Sequence, residues 1–300
     1  MKNKNSFIKN YLHKNPQTKY VAPAMLVLII LTIIPSIFLY IISMTNYQLG
    51  WDFSRAKFVG FENFIRLFSG RDPDFWHSVK ISLIFTFLST SIQLILGYLI
   101  ALLLNFKEFK LKGLVIGIMI IPLAITPTIA GQMWKLMFNS EYGLINYFLN
   151  LFFGIKITWL SADMAFWSIL IVDIWQFTPF ITLMLYSGLR TVPREPYESA
   201  KIDGANSIQS FFYITVPMMK NLTILALLLR MADALKLFDT AFVLTQGGPG
   251  RATEFLSLHV YRMVNAQNGL IGRGAAVAIV LLLLVTTISN ALLKLQRREN

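Results

Sequence analysis

Cysteine is absent from this 300-residue chain, and charged residues are scarce. The lack of cysteine excludes disulfide bonds, thiolate nucleophiles and thiolate metal sites together. Histidine occurs only as His13, His77 and His259, a spacing that indicates no metal cluster. Charged residues make up 14% of the chain, whereas soluble domains carry about 25%. This deficit excludes an ordinary water-facing surface and favours a protein embedded in lipid.

Hydrophobic residues, which make up 55% of the chain, are concentrated in long apolar stretches. A helix needs about 20 apolar residues to cross the ~30 Å hydrocarbon core of a bilayer. The stretches that meet this length, with tilt or flanking residues included, are 21–44, 78–104, 113–137, 164–186, 218–244 and 274–293. The sequence therefore predicts an all-α polytopic membrane protein with six transmembrane helices. The first stretch is too long for a cleaved secretory signal and is interpreted as a retained span.

The distribution of lysine and arginine predicts the orientation of these helices. With a cytoplasmic N-terminus, the inner segments carry 15 basic residues and the outer segments carry 8. Because cytoplasmic loops are enriched in basic residues, we expect both termini in the cytoplasm and the chain in the cytoplasmic membrane. Anionic lipid headgroups then account for the net charge of +12, and no nucleic-acid partner is expected.

This topology divides the chain into three parts. Residues 1–74 comprise an N-terminal cytoplasmic tail, the first transmembrane helix and an outer loop. Residues 75–293 form the core transmembrane domain, and residues 294–300 form a cytoplasmic tail. In a second outer loop, the segment GLINYFLNLFFGI (143–155) is too short to span the bilayer. We expect that segment to lie at the membrane interface.

The predicted cytoplasmic segment 194–217 has a polar helix–glycine–helix pattern that a simple chain reversal does not need. Pro196 suits the first turn of a helix, where its missing N–H leaves no bond unmade. Glu198 suits the positive end of the helix dipole, and Gly204 supplies a left-handed residue that ends the helix. The segment therefore begins with a short helix that stops at Gly204.

A second helix is expected directly after Gly204. Asn206 or Ser207 can cap its N-terminus, and Pro217 is expected to restrict its end. The two helices together form a compact cytoplasmic knob. Its small residues leave room for the side chains of a partner to approach closely.

The segment ESAKIDGA, followed by FFYITVP, resembles the EAA loop in permease subunits of binding-protein-dependent ABC importers. That pattern is Glu-Ala-Ala, then Gly, then Ile-x-Leu-Pro, from which Ser199 and Val216 depart mildly. The resemblance implies the type I importer permease fold, with the two-helix coupling loop seated in a groove of a cytoplasmic ATPase subunit. The residues expected to couple to the ATPase are Glu198, Ser199, Ala200, Asp203, Gly204 and Ala205.

The segment VLTQGGPGRATEFLSLHVYR (243–262) resembles the outer segment of the carbohydrate-importer branch of that family. Locally it predicts a glycine-proline turn followed by a short helix over 254–263. The resemblance implies four partners: two cytoplasmic ATPase subunits, a second related permease in a heterodimer, and an extracytoplasmic solute-binding protein. The residues in register are Thr245, Gly247, Gly248, Pro249 and Thr253.

The chain has no nucleotide-hydrolysis motif of its own. It lacks the G-x-x-x-x-G-K-[ST] loop that cradles phosphates, and segment 247–253 contains no lysine. We therefore expect no enzymatic activity and no cofactor or metal in this chain. The energy for transport is expected from the partner ATPase subunits.

Polar and aromatic residues at membrane depth are the candidates for a solute pathway. Charges at this depth are unfavourable and usually face the bundle interior or a wet cavity. Four charges spaced by three in the fifth predicted span either line such a pathway or neutralise one another in ion pairs. In the fourth span, an amide can bind hydroxyls and aromatic rings can stack on sugar faces. The predicted pathway residues are Gln176, Phe177, Phe180, Arg230, Asp233 and Lys236, with Asp173, Asp239, Gln93 and Gln132 as related candidates.

The function that these observations favour is import of a sugar or polyol-type solute by alternating access. One alternative is a permease of the same machine for glycerol phosphate derivatives or amino acids. A second alternative is a secondary transporter driven by an ion gradient, which leaves the hairpin unexplained. An intramembrane enzyme is disfavoured, because the sequence has no H-E-x-x-H motif or nucleophile–base constellation.

Overall fold

The computed structural model describes residues 17–106, 110–265 and 269–297. In these ranges the chain is helical, and its one strand-like feature is a bridge between Thr45 and Phe58. The predicted cytoplasmic tail before residue 17, Lys107 and residues 298–300 lie outside the described ranges. The helices are α1 (Gln17–Ser43), α2 (Glu62–Phe68), α3 (Pro73–Asn105), α4 (Lys112–Ala124), α5 (Pro127–Met137), α6 (Leu144–Phe153), α7 (Ala165–Leu189), α8 (Glu195–Ile202), α9 (Ser207–Leu235), α10 (Asp239–Thr245), α11 (Leu256–Val264) and α12 (Ile271–Arg297).

The long apolar helices confirm the predicted class of an all-α membrane protein. Five of the described helices, α1, α3, α7, α9 and α12, are long and apolar enough to cross a bilayer. The pair α4 and α5 passes the same test jointly, which gives six crossings when the pair counts as one broken span. The order of these segments matches the six predicted spans, although the third span is bent and the fifth has different bounds.

The third predicted span, 113–137, is a bent pair rather than one helix, since α4 and α5 meet at 100°. Pro127 occupies the first turn of α5, and a residue that precedes proline avoids the helical conformation. Thr126 is accordingly extended, with φ −65° and ψ 145°. The side-chain amide of Gln176 donates to the Ile125 carbonyl at 2.9 Å, which satisfies a backbone group exposed at the break.

The fifth predicted span, 218–244, is wrong at both ends. Helix α9 begins at Ser207 and ends at Leu235, so it includes the second helix predicted for the hairpin. Lys236 leaves the helix with φ −96° and ψ 14°, and the chain then forms the separate helix α10. The short helix of the hairpin is therefore followed by one 29-residue helix that enters the membrane bundle.

Pro217 does not end a helix, contrary to the sequence prediction. A π turn over Phe211–Thr215 precedes it, in which the Val216 N–H bonds to the Phe211 carbonyl five residues back. Proline lacks an N–H and crowds the carbonyl four residues earlier in a regular α-helix. The wider π turn accommodates this proline, and the helix continues through it.

Small residues bring the central helices close together. A Cβ on Gly97 of α3 would lie 2.7 Å from Cγ2 of Ile181 in α7. A Cβ on Gly188 would lie 2.2 Å from Cδ2 of Leu222 in α9. Helices in lipid associate largely through such close backbone approach. The core of the bundle is therefore the α3–α7–α9 group, against which α12 also packs.

Two apolar helices lie largely outside this core. In the apolar window of α1 only 6% of the residues are buried, and its main packing partner is α12. Helix α6 falls within the predicted segment 143–155 and ends at Gly154, whose φ is +68°. Asn146 fixes α6 to the chain that follows, since its amide donates to the Ile157 carbonyl at 2.8 Å.

Candidate functional site: a hairpin and a loop at opposite ends of one helix

The first half of the hairpin (194–217) ends in a Schellman arrangement. The Ala205 N–H bonds to the Ala200 carbonyl at 2.8 Å, and the Gly204 N–H bonds to the Lys201 carbonyl at 3.2 Å. Gly204 takes φ +81°, as predicted, because this turn requires a left-handed residue. Helix α8 is therefore stopped by its own backbone chemistry at Gly204.

The second half of the hairpin begins with a capping box. The Asn206 carboxamide oxygen accepts from the Gln209 N–H, and the Gln209 side chain accepts from the Asn206 N–H, both at 2.8 Å. The hydroxyls of Tyr197 in α8 and Thr215 in the π turn lie 2.9 Å apart. These bonds join α8 to α9, so the hairpin is a rigid extension of that helix.

The surface of the hairpin is exposed to an unusual degree for its apolar content. Helix α8 has no buried residue. Ile202 is 87% exposed and Tyr213 is 80% exposed, and Ile208 and Phe212 are exposed with them. Exposed apolar patches of this kind mark contact surfaces for other proteins. The predicted coupling residues lie on this surface, exposed at Glu198, Ser199, Asp203 and Gly204 and half-buried at Ala200 and Ala205.

A polar network inside the bundle joins α3, α7 and α9. Arg230 is 2% exposed, and its guanidinium pairs with the Asp173 carboxylate. Its Nε donates to Gln93 Oε1 at 2.8 Å, and Gln93 Nε2 donates to Asp173 Oδ2 at 2.9 Å. The Ser89 hydroxyl also donates to Asp173, and Arg230 Cζ lies 4.3 Å from the ring centroid of Phe177. Each charge at this depth therefore has several partners, as lipid surroundings require.

The structure separates the predicted pathway residues into two groups. Arg230 and Gln176 are buried and bonded to other groups of the chain. Arg230 is bonded within the polar network, and Gln176 is bonded at the α4–α5 break. Asp233 and Lys236 are exposed at the end of α9, where Nζ and Oδ1 lie 3.3 Å apart. The predicted rings with half-buried positions are those of Phe177 and Phe180. The charges predicted in the fifth span therefore do not all face one surface. The role of each residue in a solute pathway stays a prediction.

The loop 246–254, at the opposite end of α9 from the hairpin, is closed on itself by Thr253. The Thr253 hydroxyl donates to the Gly248 carbonyl at 2.9 Å and lies 2.7 Å from the Thr245 hydroxyl. Its N–H bonds to the Gly247 carbonyl at 3.1 Å, and the residue is fully buried. The glycine-proline turn is present as predicted. The helix after it begins at Leu256, two residues later than expected, because Phe255 is extended.

A buried histidine fixes this loop to the start of α3. His259 is fully buried in α11, and its two ring nitrogens face two carboxylates. Nδ1 lies 2.7 Å from Glu254 Oε1, and Nε2 lies 3.3 Å from Asp72 Oδ2. Asp72 caps the N-terminus of α3 by accepting from the Asp74 N–H at 3.2 Å. His259 thus links α11 and the loop before it to the start of α3, 187 residues away in the sequence.

Two arginines complete the cluster around these carboxylates. Arg262 Nη2 lies 2.5 Å from Glu254 and 3.3 Å from Asp74. Arg251 pairs with Asp74 and lies 3.8 Å from Glu254. In the described parts of the chain, no group of three or more His, Cys, Asp or Glu side chains has the geometry of a metal site. We call the six side chains joined by these ion pairs the ionic cluster: Asp72, Asp74, Arg251, Glu254, His259 and Arg262.

The ionic cluster shifts the pKa values of two members. Burial disfavours the His259 imidazolium, but hydrogen bonds and charge attraction from Asp72 and Glu254 outweigh it and raise the pKa of His259 above 6.5. Burial likewise disfavours the Asp72 carboxylate, but the hydrogen bond and charge of His259 outweigh it and lower the pKa of Asp72 below 3.8. Both shifts favour the ion-paired form of the cluster.

Sequence reasoning missed this cluster, since it considered the histidines only as metal ligands. Asp72 and His259 are 187 residues apart, and local pattern carries no information on that contact. One available signal was that Glu254 and His259 both follow the glycine-proline turn within one short segment. Two polar residues beside a predicted membrane helix require partners.

Helices that cross the bilayer, partnered charges inside the bundle and an exposed hairpin define a polytopic membrane transport subunit. The chain belongs to the family described as "binding-protein-dependent transport system inner membrane component", whose model matches residues 93–299. The resemblance of the hairpin and the loop to permease segments is thereby confirmed at the level of the family.

Two relatives of this chain are named as transport system permease proteins. The chain is 41% identical to the trehalose/maltose transport system permease protein MalF of Thermococcus litoralis over 241 residues, 80% of each chain. It is 34% identical to the sulfoquinovosyl glycerol transport system permease protein SmoG of Agrobacterium fabrum over 247 residues, which are 82% of this chain and 79% of that protein.

A solved structure shows the same fold. This chain superimposes on a chain of a bacterial ABC transporter involved in the import of the acidic polysaccharide alginate with a TM-score of 0.81. The match covers 98% of this chain and 99% of that one at 19% identity. At this identity the likeness concerns the fold, which is that of an ABC importer permease.

Proposed function

We propose that this chain is a permease subunit of an ATP-driven importer that moves a sugar or polyol-type solute by alternating access. The observation that carries the proposal is the exposed apolar hairpin, which is joined rigidly to α9 and fits no role within the chain itself. The names of relatives, among them a trehalose/maltose permease and a starch degradation products permease, support the class of solute.

The partners in this proposal are two cytoplasmic ATPase subunits, a second related permease and an extracytoplasmic solute-binding protein. The ATPase subunits take the hairpin, through Glu198 and the apolar side chains beside it. The second permease covers apolar surface that this chain leaves open, above all along α1. The solved alginate transporter in complex with a pentasaccharide-bound periplasmic protein supports the last partner by analogy.

Orientation follows from the same assembly. The hairpin faces the cytoplasm, together with both termini, and the 246–254 loop faces outward. The positive excess of the inner segments supports this arrangement, since cytoplasmic loops carry more lysine and arginine. Division of the chain into an accessory part (1–74), a core (75–293) and a terminal tail (294–300) is part of the proposal.

The solute pathway in this proposal lies between the two permeases rather than inside this bundle. Asp233 and Lys236 are exposed on this chain, at the end of α9, where a second subunit can enclose them. Phe177 and Phe180 supply half-buried aromatic surface. Arg230 and Gln176 hold this wall of the pathway in shape through the contacts already described.

Coupling is mechanical in this scheme. Closure of the ATPase subunits on ATP moves the hairpin, and α9 carries the motion into the bundle because hydrogen bonds across the Gly204 turn join α8 to α9. Differential contacts of the two ATPase states with the hairpin are the source of free energy for the conformational change.

Reconstitution tests the proposal. The chain is purified from its native membrane with the subunits that accompany it and placed in vesicles with trapped ATP and labelled maltose or trehalose outside. Uptake that requires ATP, an ATPase subunit and a solute-binding protein is the expected result. Uptake by this chain alone under an ion gradient would overturn it in favour of a secondary transporter. Binding assays of the solute-binding protein with sugars, glycerol phosphate derivatives and amino acids separate the remaining alternatives.

A further inference from the structure

We propose that His259 is a proton-operated clasp that holds the 246–254 loop against the N-terminus of α3 and releases it when the imidazole ring loses its proton. The inference concerns the chain itself and does not depend on the identity of the transported solute. It assigns a conformational device to a residue far from the hairpin and from the buried Arg230 network.

The geometry places a carboxylate at each end of the His259 ring. Glu254, at the end of the loop, lies 2.7 Å from Nδ1, and Asp72, before α3, lies 3.3 Å from Nε2. A carboxylate accepts hydrogen bonds and cannot donate them, so both contacts are satisfied only when both ring nitrogens carry protons. A neutral ring keeps one carboxylate bond and leaves its other nitrogen facing a carboxylate oxygen. When that nitrogen is Nδ1, it accepts from Arg262 Nη2 at 3.2 Å, but its bond to Glu254 is lost.

The charges that face His259 come from every element packed around it. Helix α3 and its cap contribute Asp72 and Asp74, the loop contributes Arg251 and Glu254, and α11 itself contributes Arg262. From α12, Arg273 interacts electrostatically with Asp72. Within the ionic cluster, three carboxylates face two arginines, so a protonated His259 balances the charge. Loss of the proton leaves one excess negative charge among these six side chains, beside the fully buried His259, and Arg273 offsets it only through Asp72.

The loop is built to move as one unit. Its own bonds, from Thr253 to Gly247 and Gly248, close it without help from the rest of the chain. Its ties to the start of α3 run through Arg251, which pairs with Asp74 and whose carbonyl lies 2.9 Å from His77 Nε2, and through Glu254, which reaches Asp72 by way of His259. Directly after the loop, the Leu256 N–H bonds to Ser82 Oγ at 2.8 Å and Phe255 packs on Phe85, so α3 also holds the start of α11. Weakening the ionic cluster therefore releases the loop from the N-terminus of α3, while its internal turn and the contacts at the start of α11 stay intact.

The sign of the pH effect follows from the direction of the shift. Because the folded protein raises the pKa of His259 above 6.5, its contribution to stability is fully present below pH 6.5. That contribution is lost as the pH rises through the folded-state pKa. Asp72 has a lowered pKa, so its contribution is lost only as the pH falls through a value below 3.8. The clasp is thus closed at mildly acidic pH and opens on the alkaline side.

Spin labels measure the loop position directly, because the chain has no native cysteine to compete. Ala252→Cys in the loop and Ser69→Cys beside α2 carry the two labels in the full chain, purified without partner subunits and held in nanodiscs. Their distance distribution is recorded by pulsed electron paramagnetic resonance from pH 5 upward. Histidine-selective NMR follows the ring titrations, which are few because the chain has three histidines.

The expected result is one transition in distance whose midpoint coincides with the His259 titration above pH 6.5. Past the midpoint, the ratio of closed to open loop falls about tenfold per pH unit, as for release of one proton. His259→Gln abolishes the transition, whereas the matched control His77→Gln retains it. Glu254→Gln keeps the ring but removes one acceptor charge, so both midpoints move together to lower pH.

Three results would overturn the clasp. The first is a His259 ring that titrates while the distance distribution stays constant. The second is a transition that persists in His259→Gln. The third is a Glu254→Gln variant in which the ring midpoint moves and the distance midpoint does not. The last comparison holds even where His259→Gln fails to fold, because the Glu254 variant retains the ring.

Discussion

The hairpin 194–217 and the loop 246–254 are both glycine-turned segments at opposite ends of α9, yet their surroundings are opposite. Helix α8 of the hairpin buries no residue and leaves Ile202 and Tyr213 almost fully exposed. The loop buries Thr253 completely and Glu254 almost completely, and it is tied to α3 by ion pairs. The turn of the hairpin is held by its own hydrogen bonds, with Phe211 as its packing contact on Tyr98 of α3, whereas the loop is fixed by ion pairs to the start of α3.

The two segments therefore differ in where their polar and apolar groups find partners. The loop satisfies its polar groups within the chain, so its interactions contribute to the stability of the isolated subunit. The hairpin keeps its apolar and charged groups available, so their contribution appears when a partner binds. Substitutions in the loop should therefore affect folding, whereas substitutions on the hairpin should affect assembly and transport.

The largest expected effect is that of Gly204→Pro. Proline fixes φ near about −65°, whereas position 204 requires +81°. The turn between α8 and α9 cannot form, and we expect ATP-driven uptake in the reconstituted system to be abolished. Membrane insertion should be retained, since the hairpin contributes no buried contact from α8. Uptake assays and quantification of the inserted subunit measure the two outcomes.

Gly154→Pro is the matched control for that variant. Gly154 also ends a short helix with a positive φ of +68° and open space around it, but it follows α6 at a different surface. We expect this control to retain most of the uptake. Undiminished uptake by Gly204→Pro, or equal loss in both variants, would contradict a specific role for the hairpin.

Two glutamates, Glu254 in the loop and Glu198 in the hairpin, test how much each region contributes to the stability of the subunit. Glu254 is 3% exposed and contacts His259, Arg262 and Arg251, so Glu254→Ala removes a carboxylate that these three side chains share and leaves the buried His259 with Asp72 as its one carboxylate. We expect a loss of about 3 kcal/mol in the free energy of unfolding, measured by denaturant titration in detergent micelles. Glu198→Ala removes an exposed side chain and should change that free energy by less than about 0.5 kcal/mol.

Among folded subunits, we expect Glu198→Ala to lower ATP-driven uptake more than Glu254→Ala does. Glu198→Ala is expected to lower ATP-driven uptake because it removes a charge from the proposed ATPase contact. A Glu198→Ala subunit that is strongly destabilised, or a Glu254→Ala subunit of unchanged stability, would show that the two regions do not differ as described.

Much of this contrast is accessible from sequence because both ends of the hairpin depend on local chemistry. A positive-φ glycine, a cap at Asn206 and a proline in the first turn of α8 follow from residues within a few positions of one another. The six apolar segments are similarly local, since length and composition define them. The family model confirms the resemblance that the hairpin motif indicated.

Other features depend on contacts between distant residues and were not predicted. The hairpin's second helix continues past Pro217 because a π turn absorbs the proline, a choice that pattern alone does not reveal. Arg230 has the same periodic spacing as Asp233 and Lys236, but it is buried because Asp173 and Gln93 on two other helices face it. The ionic cluster joins residues 72–74 to residues 251–262, a contact that no local pattern indicates.

A smaller effect is expected from the apolar surface of the hairpin. Tyr213→Ser removes an 80% exposed ring that lies beside the predicted coupling residues. Aromatic residues at the centre of interfaces contribute about 2 kcal/mol, so ATPase affinity should fall about 30-fold. Affinity is measured by titration of the ATPase subunit onto the solubilised permease.

Tyr142→Ser is the corresponding control, since that ring is 71% exposed but belongs to the segment before α6. It should leave the affinity for the ATPase unchanged. Equal affinities for wild type and Tyr213→Ser would indicate that the ATPase does not use this face of the hairpin.

The smallest expected effect is that of Asn206→Ala, which removes the capping box at the start of α9. Loss of an N-cap of this kind typically costs about 1 kcal/mol, and the local bonds to Gln209 carry it here. We expect hydrogen exchange at the first amides of α9 to become about five-fold faster, because local opening becomes easier by that free energy. Asn206→Asp keeps the acceptor and should exchange at nearly the wild-type rate. A cap variant that left exchange unchanged would mean that contacts other than the hairpin's own hydrogen bonds, such as the packing of Phe211 on Tyr98, hold this end of α9 in shape. The contrast with the loop would then fail at its mildest test.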